Sequence, residues 1–352
     1  MLNWGIIGAG NIAKVFCNGL RFSKTGRLAA ISSQTSGKAD ALADLFDVEK
    51  RYTSYEALLS DRDIDAVYVS TIHPAHEASV VQAAEAGKHI LVEKPIGMNA
   101  SQAETMIEAA RANDVFLMEA FMYRCHPQIR RMVELIQSGE IGDVRMVHSS
   151  FGYHSPFNPD SRAYNNELGG GGILDVGCYP ASMTRLIAGA AVGEPFLNPT
   201  EVKATGVVGS TRVDHYTAAT LKFENDIVAE ISTAVACNLR NETVIYGSAG
   251  TLTIPDPWLP SSPCRFAATA LPLDTAFPPS SLLLQRRGET MPTEIEVEAD
   301  RDLFSYEADM VGDHINARQA PAATWADTLG NMQLLDSWKS EIGVVHDLVP
   351  KI

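Results

Sequence analysis

The chain has 352 residues, 45% hydrophobic and 20% charged, which excludes a disordered chain, a mini-protein and a coiled coil and leaves room for two domains. Its 28 Lys and Arg against 43 Asp and Glu leave a net charge of −15, a balance that argues against nucleic acid and anionic membrane as partners. Five widely spaced cysteines without a C-x-x-C pair read as reduced thiols of a cytoplasmic protein. With no basic leader and no apolar run near the ~18 residues of a membrane span, the chain is expected to be neither exported nor anchored.

From residue 2 to about 120 short apolar runs alternate with amphipathic stretches, the βαβ pattern of a parallel sheet covered on both faces. Strands are expected at Trp4–Ile7, Leu28–Ser32, Ala66–Ile72, His89–Glu93 and Val115–Glu119, and helices at Ala39–Phe46, Ala75–Ala86 and Ser101–Ala112. After Tyr123 the rhythm changes. A helix over Pro127–Ile136, a strand over Val144–Phe151, a glycine-rich segment and a helix from near Ile173 precede a run of strands. These lie at Val202–Val208, Tyr216–Phe223, Ile227–Val235, Thr243–Tyr246 and Thr251–Ile254, and suit a largely antiparallel sheet. Pro255–Pro279, with seven prolines, reads as a long irregular loop, and helices at Phe304–Ala317 and Trp325–Glu341 close the chain. The fold class is therefore α/β: a doubly wound Rossmann domain over 1–123, then an α+β domain over 124–352 on a large, open, mostly antiparallel sheet.

Three motifs carry chemistry. Gly8-Ala9-Gly10-Asn11-Ile12-Ala13 is a G-x-G-x-x-A between the first strand and a helix. Gly8 permits the tight turn, Gly10 lets a pyrophosphate approach the backbone, and the helix N-terminus at Asn11 and Ile12 attracts the anion. An NAD site usually places a carboxylate at the end of the second strand, but Ser32 to Thr35 contain none. Ser33, Gln34 and Lys38 suit a 2′-phosphate instead, so NADP is expected ahead of NAD.

Glu93-Lys94-Pro95 stands at the carboxyl end of a strand, the edge where doubly wound sheets bind ligands, with Thr71 and His73 at the end of the neighbouring strand. His73 and His76 have metal-pair spacing without further ligands, so no metal is expected; His73 lines the cofactor site and His76 caps the helix behind it. In Gly169-Gly170-Gly171-Gly172 to Tyr179, Asp175 and Tyr179 share one face of a helix, where the dipole keeps the carboxylate ionised and a nearby Lys94 lowers the phenol. Tyr153 and Arg162 are added as substrate contacts. Arg124, His126 and Arg162 either reach the cleft or make interdomain hydrogen bonds, and Cys178 reads as a packed helix residue.

Together these motifs, with Glu119-Ala120-Phe121-Met122-Tyr123-Arg124-Cys125-His126-Pro127, resemble the glucose-fructose oxidoreductase/inositol dehydrogenase (Gfo/Idh/MocA) family, in the branch containing dimeric dihydrodiol dehydrogenases and aldose oxidoreductases. The resemblance spans nearly the whole chain. It implies NAD(P)-dependent hydride transfer at a secondary hydroxyl of a sugar, sugar derivative or cyclic diol, with Lys94, Asp175 and Tyr179 matching the catalytic positions. It also implies a cis Lys94–Pro95 peptide and a homodimer or homotetramer formed through the second sheet. Gln34 stands where many NADP-using members carry Arg, and the Pro255–Pro279 loop shapes either the substrate mouth or the oligomer contact. A dinucleotide sensor without turnover and a sugar-sugar oxidoreductase that retains NADP are the alternative readings.

Overall fold

The computed structural model describes residues 1–347. The first unit runs β1 (Leu2–Ile7), α1 (Asn11–Leu20), β2 (Gly26–Ser32), α2 (Lys38–Phe46), β3 (Lys50–Tyr52), α3 (Tyr55–Leu59), β4 (Ala66–Val69), α4 (His76–Glu85), β5 (His89–Glu93), α5 (Ala100–Ala112) and β6 (Leu117–Ala120). All neighbouring strands are parallel, in the order β3-β2-β1-β4-β5-β6. Every residue of β4 is buried, as a strand covered by helices on both faces must be. Strand order reverses between β1 and β4, and at such a switch point the loops leaving the carboxyl ends diverge and open a crevice.

After α6 (Met122–Cys125) and α7 (Pro127–Gln137) the chain forms β7 (Val144–Gly152), α8 (Cys178–Ala190), β8 (Glu201–Val208), β9 (Asp214–Lys222), β10 (Val228–Ala234), β11 (Thr243–Gly247), β12 (Gly250–Ile254), β13 (Ser280–Arg286) and β14 (Thr293–Val297). The eight strands take the order β14-β13-β12-β11-β7-β10-β9-β8, antiparallel except where β7 meets β10. Burial alternates along β10 and β13: in β10, Ala229 and Ile231 face the core while Val228 and Glu230 face outward. Helix α8 is buried all round, between the sheet, α7 and α10 (Trp325–Glu341). The last two helices return to the first unit: α9 (Leu303–His314) packs on α1 and β2, and α10 on α5 and β6.

Five elements lie outside the sequence expectations, one of them the four-residue α6. Strand β3 and helix α3 have three and five residues, too few for a period to register. Strands β13 and β14 follow the proline-rich loop; Leu282 and Leu284 are buried at period two, but the mostly exposed residues of β14 hide the edge. The helix expected from Ile173 begins as a π-helical turn over Ile173–Gly177.

Arg124 and His126 neither line the cleft nor bond between the two units: the partners of both lie in the second unit. His126 Nδ1 accepts the Gln128 N–H at 3.2 Å and caps α7. Arg124 on α6 and Arg185 on α8 both reach Asp327 on α10, at 2.7 and 2.6 Å, and all three are buried. One carboxylate thus balances two guanidiniums and ties three helices behind the site. Asp327→Ala leaves both cations uncompensated and should cost about 3–5 kcal/mol of stability. Urea unfolding checks this; a loss of only about 0–1 kcal/mol, typical of an exposed pair, would contradict it.

Candidate active site

One cleft of about 1260 Å³ runs along the carboxyl edge of the first sheet and under the second unit. That exceeds an ordinary small-molecule pocket of roughly 300–1,000 Å³ and gives room for a dinucleotide beside a substrate. It begins at the turn between β1 and α1. Gly8 has φ +96°, which only glycine adopts freely, and a Cβ there would stand 3.1 Å from the Ser70 carbonyl oxygen. A Cβ at Gly10 would meet no protein atom within 4 Å, so that face stays open to a ligand, while Ala13 is fully buried where the helix meets the sheet. No side chain caps α1 and no acid stands in its first turn, so its N–H groups face the cleft without a competing negative charge.

Ser33, Gln34 and Lys38 line the cleft beyond β2, and Thr71, His73, Glu93 and Lys94 line it beyond β4 and β5, with Gly8, Gly10, Asn11 and Ile12 between them. His76, expected to bind cofactor and to cap its helix, does neither. It is the first residue of α4, is fully buried, and its ring lies 3.0 Å from the Pro95 oxygen and 3.1 Å from the Thr71 oxygen, so it holds the loops that carry cleft residues. Burial pushes its pKa down to about 4, so the ring is neutral.

The Lys94–Pro95 peptide is cis, and Lys94 Nζ donates to the backbone oxygen of Asp175 at 2.9 Å. The lysine therefore meets the Asp175 carbonyl rather than its carboxylate, which accepts from Arg162 at 2.9 Å and from the Tyr153 hydroxyl. Burial opposes ionisation of Asp175, but the Arg162 guanidinium and the Lys94 ammonium outweigh it and hold the carboxyl well below its usual range. Arg162 lines the cleft, and its NH1 lies 3.4 Å from His73 Nε2; Tyr153 and Asp175 stand behind the lining. The π-helical turn that presents Asp175 is fastened by Asp214, which accepts the Ile173 N–H at 2.9 Å, and a Cβ at Gly171 would overlap that carboxylate.

Tyr179 lines the cleft with its ring against Phe151, and its hydroxyl contacts Met122 Sδ at 3.6 Å. Lys94 Nζ lies 5.0 Å from the centre of that ring, over its face rather than at the hydroxyl. The expected lowering of the phenol is therefore reversed: burial, then the nearby Glu93, push the Tyr179 pKa well above its ordinary value, so the phenol keeps its proton. Sequence reasoning missed the apolar wall of Met122, Phe151, Val176 and Leu259. It also missed Glu307 on α9, fully buried, with no hydrogen-bond partner for either oxygen among the described residues. Burial and Glu93 push that carboxyl up, so it is held neutral. No local pattern marks either feature, because both are made by side chains far apart in sequence.

A doubly wound sheet with a glycine-rich turn at its switch point, facing a lysine and a tyrosine across one cleft, defines a dinucleotide-dependent oxidoreductase. Residues 2–121 match the model of the oxidoreductase family with an NAD-binding Rossmann fold and residues 129–253 that of the GFO/IDH/MocA C-terminal domain: the chain belongs to the Gfo/Idh/MocA oxidoreductase family. It is 37% identical over 262 residues to the trans-1,2-dihydrobenzene-1,2-diol dehydrogenase of Xenopus tropicalis, 74% of this chain and 77% of that one. The enzyme of the same name from Homo sapiens is 29% identical over 263 residues, 74% and 76% of the two chains. Among solved structures, the open conformation of KijD10, a 3-ketoreductase from Actinomadura kijaniata in complex with TDP-benzene and NADP, is 25% identical with a TM-score of 0.77, covering 97% of this chain and 98% of that one. The aldose-aldose oxidoreductase of Caulobacter crescentus, 24% identical with 97% of each chain covered, shares the fold at a TM-score of 0.81.

Glu119, buried on β6, accepts the Ile96 N–H at 2.9 Å just beyond the cis peptide, and burial pushes its pKa from 4.5 to about 7. The folded chain thus keeps a proton that the unfolded chain releases, so stability falls as pH rises through that interval. The shift allows a loss of at most about 3 kcal/mol. Glu119→Gln should flatten the decline in urea unfolding measured across the interval. A variant with the wild-type slope would contradict this assignment.

Proposed function

We propose that the protein is an NADP-preferring dehydrogenase that interconverts a secondary hydroxyl and its carbonyl on a cyclic diol, sugar or sugar derivative. The observation that carries this reading is the convergence of Lys94, from the first sheet, and Tyr179, from α8 of the second unit, on the cleft that starts at Gly8 and Gly10. The dinucleotide, when bound, supplies or accepts the hydride. The chain supplies the rest. Lys94 places positive charge beside the substrate oxygen, where negative charge grows as the carbonyl is reduced. Tyr179, kept protonated by burial, gives its proton to that oxygen on reduction, and the phenolate this leaves is the form that takes the proton back in the oxidative direction. Asp175 is a positioning residue: its carbonyl anchors Lys94, and its carboxylate, which also accepts from Tyr153 behind the lining, orients Arg162 toward the substrate.

The names of the dihydrodiol dehydrogenases support cyclic trans-diols as the first substrates to test, and the apolar wall of Met122, Phe151, Val176 and Leu259 suits the bare face of a ring. Ser33, Gln34 and Lys38 line the cleft, and the stretch Ser32 to Thr35 contains no carboxylate for a ribose 2′-hydroxyl, which supports NADP over NAD. In this proposal residues 1–123 hold the dinucleotide and residues 124–352 shape the substrate site and join subunits. Val207, Tyr216, Val228 and Tyr246, exposed on one face of the second sheet, support a homodimer or homotetramer built there. Five unpaired cysteines support a cytoplasmic setting.

The test is turnover of diols, inositols and aldoses with both cofactors, followed at the reduced-nicotinamide absorbance. Tyr179→Phe should lower kcat by about 10²–10⁴ with cofactor affinity nearly unchanged. Near wild-type turnover in that variant would overturn the role of Tyr179, and cofactor binding without turnover of any substrate would favour a sensor. Lys38→Ala should weaken NADP several-fold and leave NAD alone in parallel titrations. Tighter binding of NAD than NADP by the wild type would refute the preference.

A further inference from the structure

The segment from Pro255 to Pro279 links β12 to β13, and only Pro263–Phe266 forms a regular turn, a short 3₁₀ helix. It lies beyond residues 129–253, the stretch that matches the family's C-terminal domain. The structure fastens it along α1. The fully buried Asn18 side chain donates to the Thr269 oxygen at 3.2 Å and accepts the Leu271 N–H at 2.8 Å, so a single amide fixes the position of the loop along the helix. Phe277 packs edge-on against Phe22 at 4.9 Å, and the Ser262 hydroxyl donates to Asp302 at 3.0 Å, at the start of α9. Seven prolines restrict the backbone of the segment, two of them between these anchors.

Held this way, the loop carries Arg265 into the lining of the cofactor cleft, which it shares with Asn11, Ile12 and Val15 of α1. Its side chain is 29% exposed, with NH1 3.9 Å from the Asp256 carboxylate. Four cations line the cleft among the described residues. Lys38 stands beyond β2, at the end suited to a 2′-phosphate, and Lys94 and Arg162 stand at the opposite end, where Asp175 balances Arg162. Arg265 comes from a turn packed on α1, the helix whose N-terminus receives a dinucleotide's diphosphate. A guanidinium matches phosphate oxygens in geometry and charge, and so complements the helix N–H groups in an anion site.

We propose that Arg265 is a cofactor-binding residue: the proline-rich loop brings its guanidinium over the first turns of α1 to pair with the dinucleotide's diphosphate. The inference rests on the dinucleotide reading of the cleft, and the experiment separates the two. NADPH and NADH are titrated by fluorescence into wild type and Arg265→Gln, a change that keeps a polar side chain and removes the charge. The variant should bind both nucleotides about tenfold more weakly, leaving their ratio unchanged because the diphosphate is common to both. Wild-type affinity in a variant that melts like the wild type would overturn the role of Arg265 and leave the dinucleotide reading intact. A wild type that binds neither nucleotide would instead overturn that reading. If the variant fails to fold, phenylglyoxal labelling of wild-type Arg265, read by peptide mass spectrometry, decides: saturating NADPH should suppress it, and undiminished labelling would contradict the proposal.

Discussion

The site depends on a bond between two separately built units. Lys94 leaves the carboxyl edge of the parallel sheet and donates to the Asp175 carbonyl in the π-helical turn of the second unit. Everything that places those two atoms 2.9 Å apart has a visible physical cause. His76 pins the segment after the lysine from below, Glu119 accepts the Ile96 N–H, and Asp214 with the Gly171 turn sets the opposing carbonyl. Behind them, Asp327 shared by two buried arginines fixes α8, and hence Tyr179, relative to α6 and α10.

Burial gives this arrangement its electrostatics. Taken out of water, Tyr179, Glu93 and Glu307 are pushed toward their neutral forms, and His73 and His76 lose their charge. Asp175 alone among the buried acids at the cleft is driven the other way, because Arg162 and Lys94 stand beside it. The result is a proton held on a phenol next to a fixed positive charge, the combination that a developing alkoxide needs. The Lys94 ammonium over the Tyr179 ring adds a cation–π contact that fixes its direction without competing for the hydroxyl.

How much of this was legible in the sequence follows from the range of each interaction. The turn at Gly8 to Ala13 and the strand-end Glu93-Lys94-Pro95 are local: residue type and spacing state the geometry, and the cleft forms where they imply. The alternation of apolar residues gave the order of the large elements but not β3, α3, α6, β13 or β14, which are short or largely exposed. The detail of the site was hidden for a different reason. Helical spacing put Asp175 and Tyr179 on one face, but whether Lys94 meets the carbonyl or the carboxylate depends on Arg162 and Tyr153, which compete for the latter. Likewise Asn18 carries no local sign that it anchors a loop some 250 residues away (separations of 251 and 253).

The central claim is that one oxygen atom of the substrate sits between Lys94 and Tyr179. The most direct measurement is a crystal structure of the ternary complex with NADP and the substrate that turnover identifies. The account predicts that oxygen within hydrogen-bonding distance of both Lys94 Nζ and the Tyr179 hydroxyl, with its carbon facing the nicotinamide. A substrate held through Arg162, with its reacting oxygen away from Lys94 and Tyr179, would contradict it.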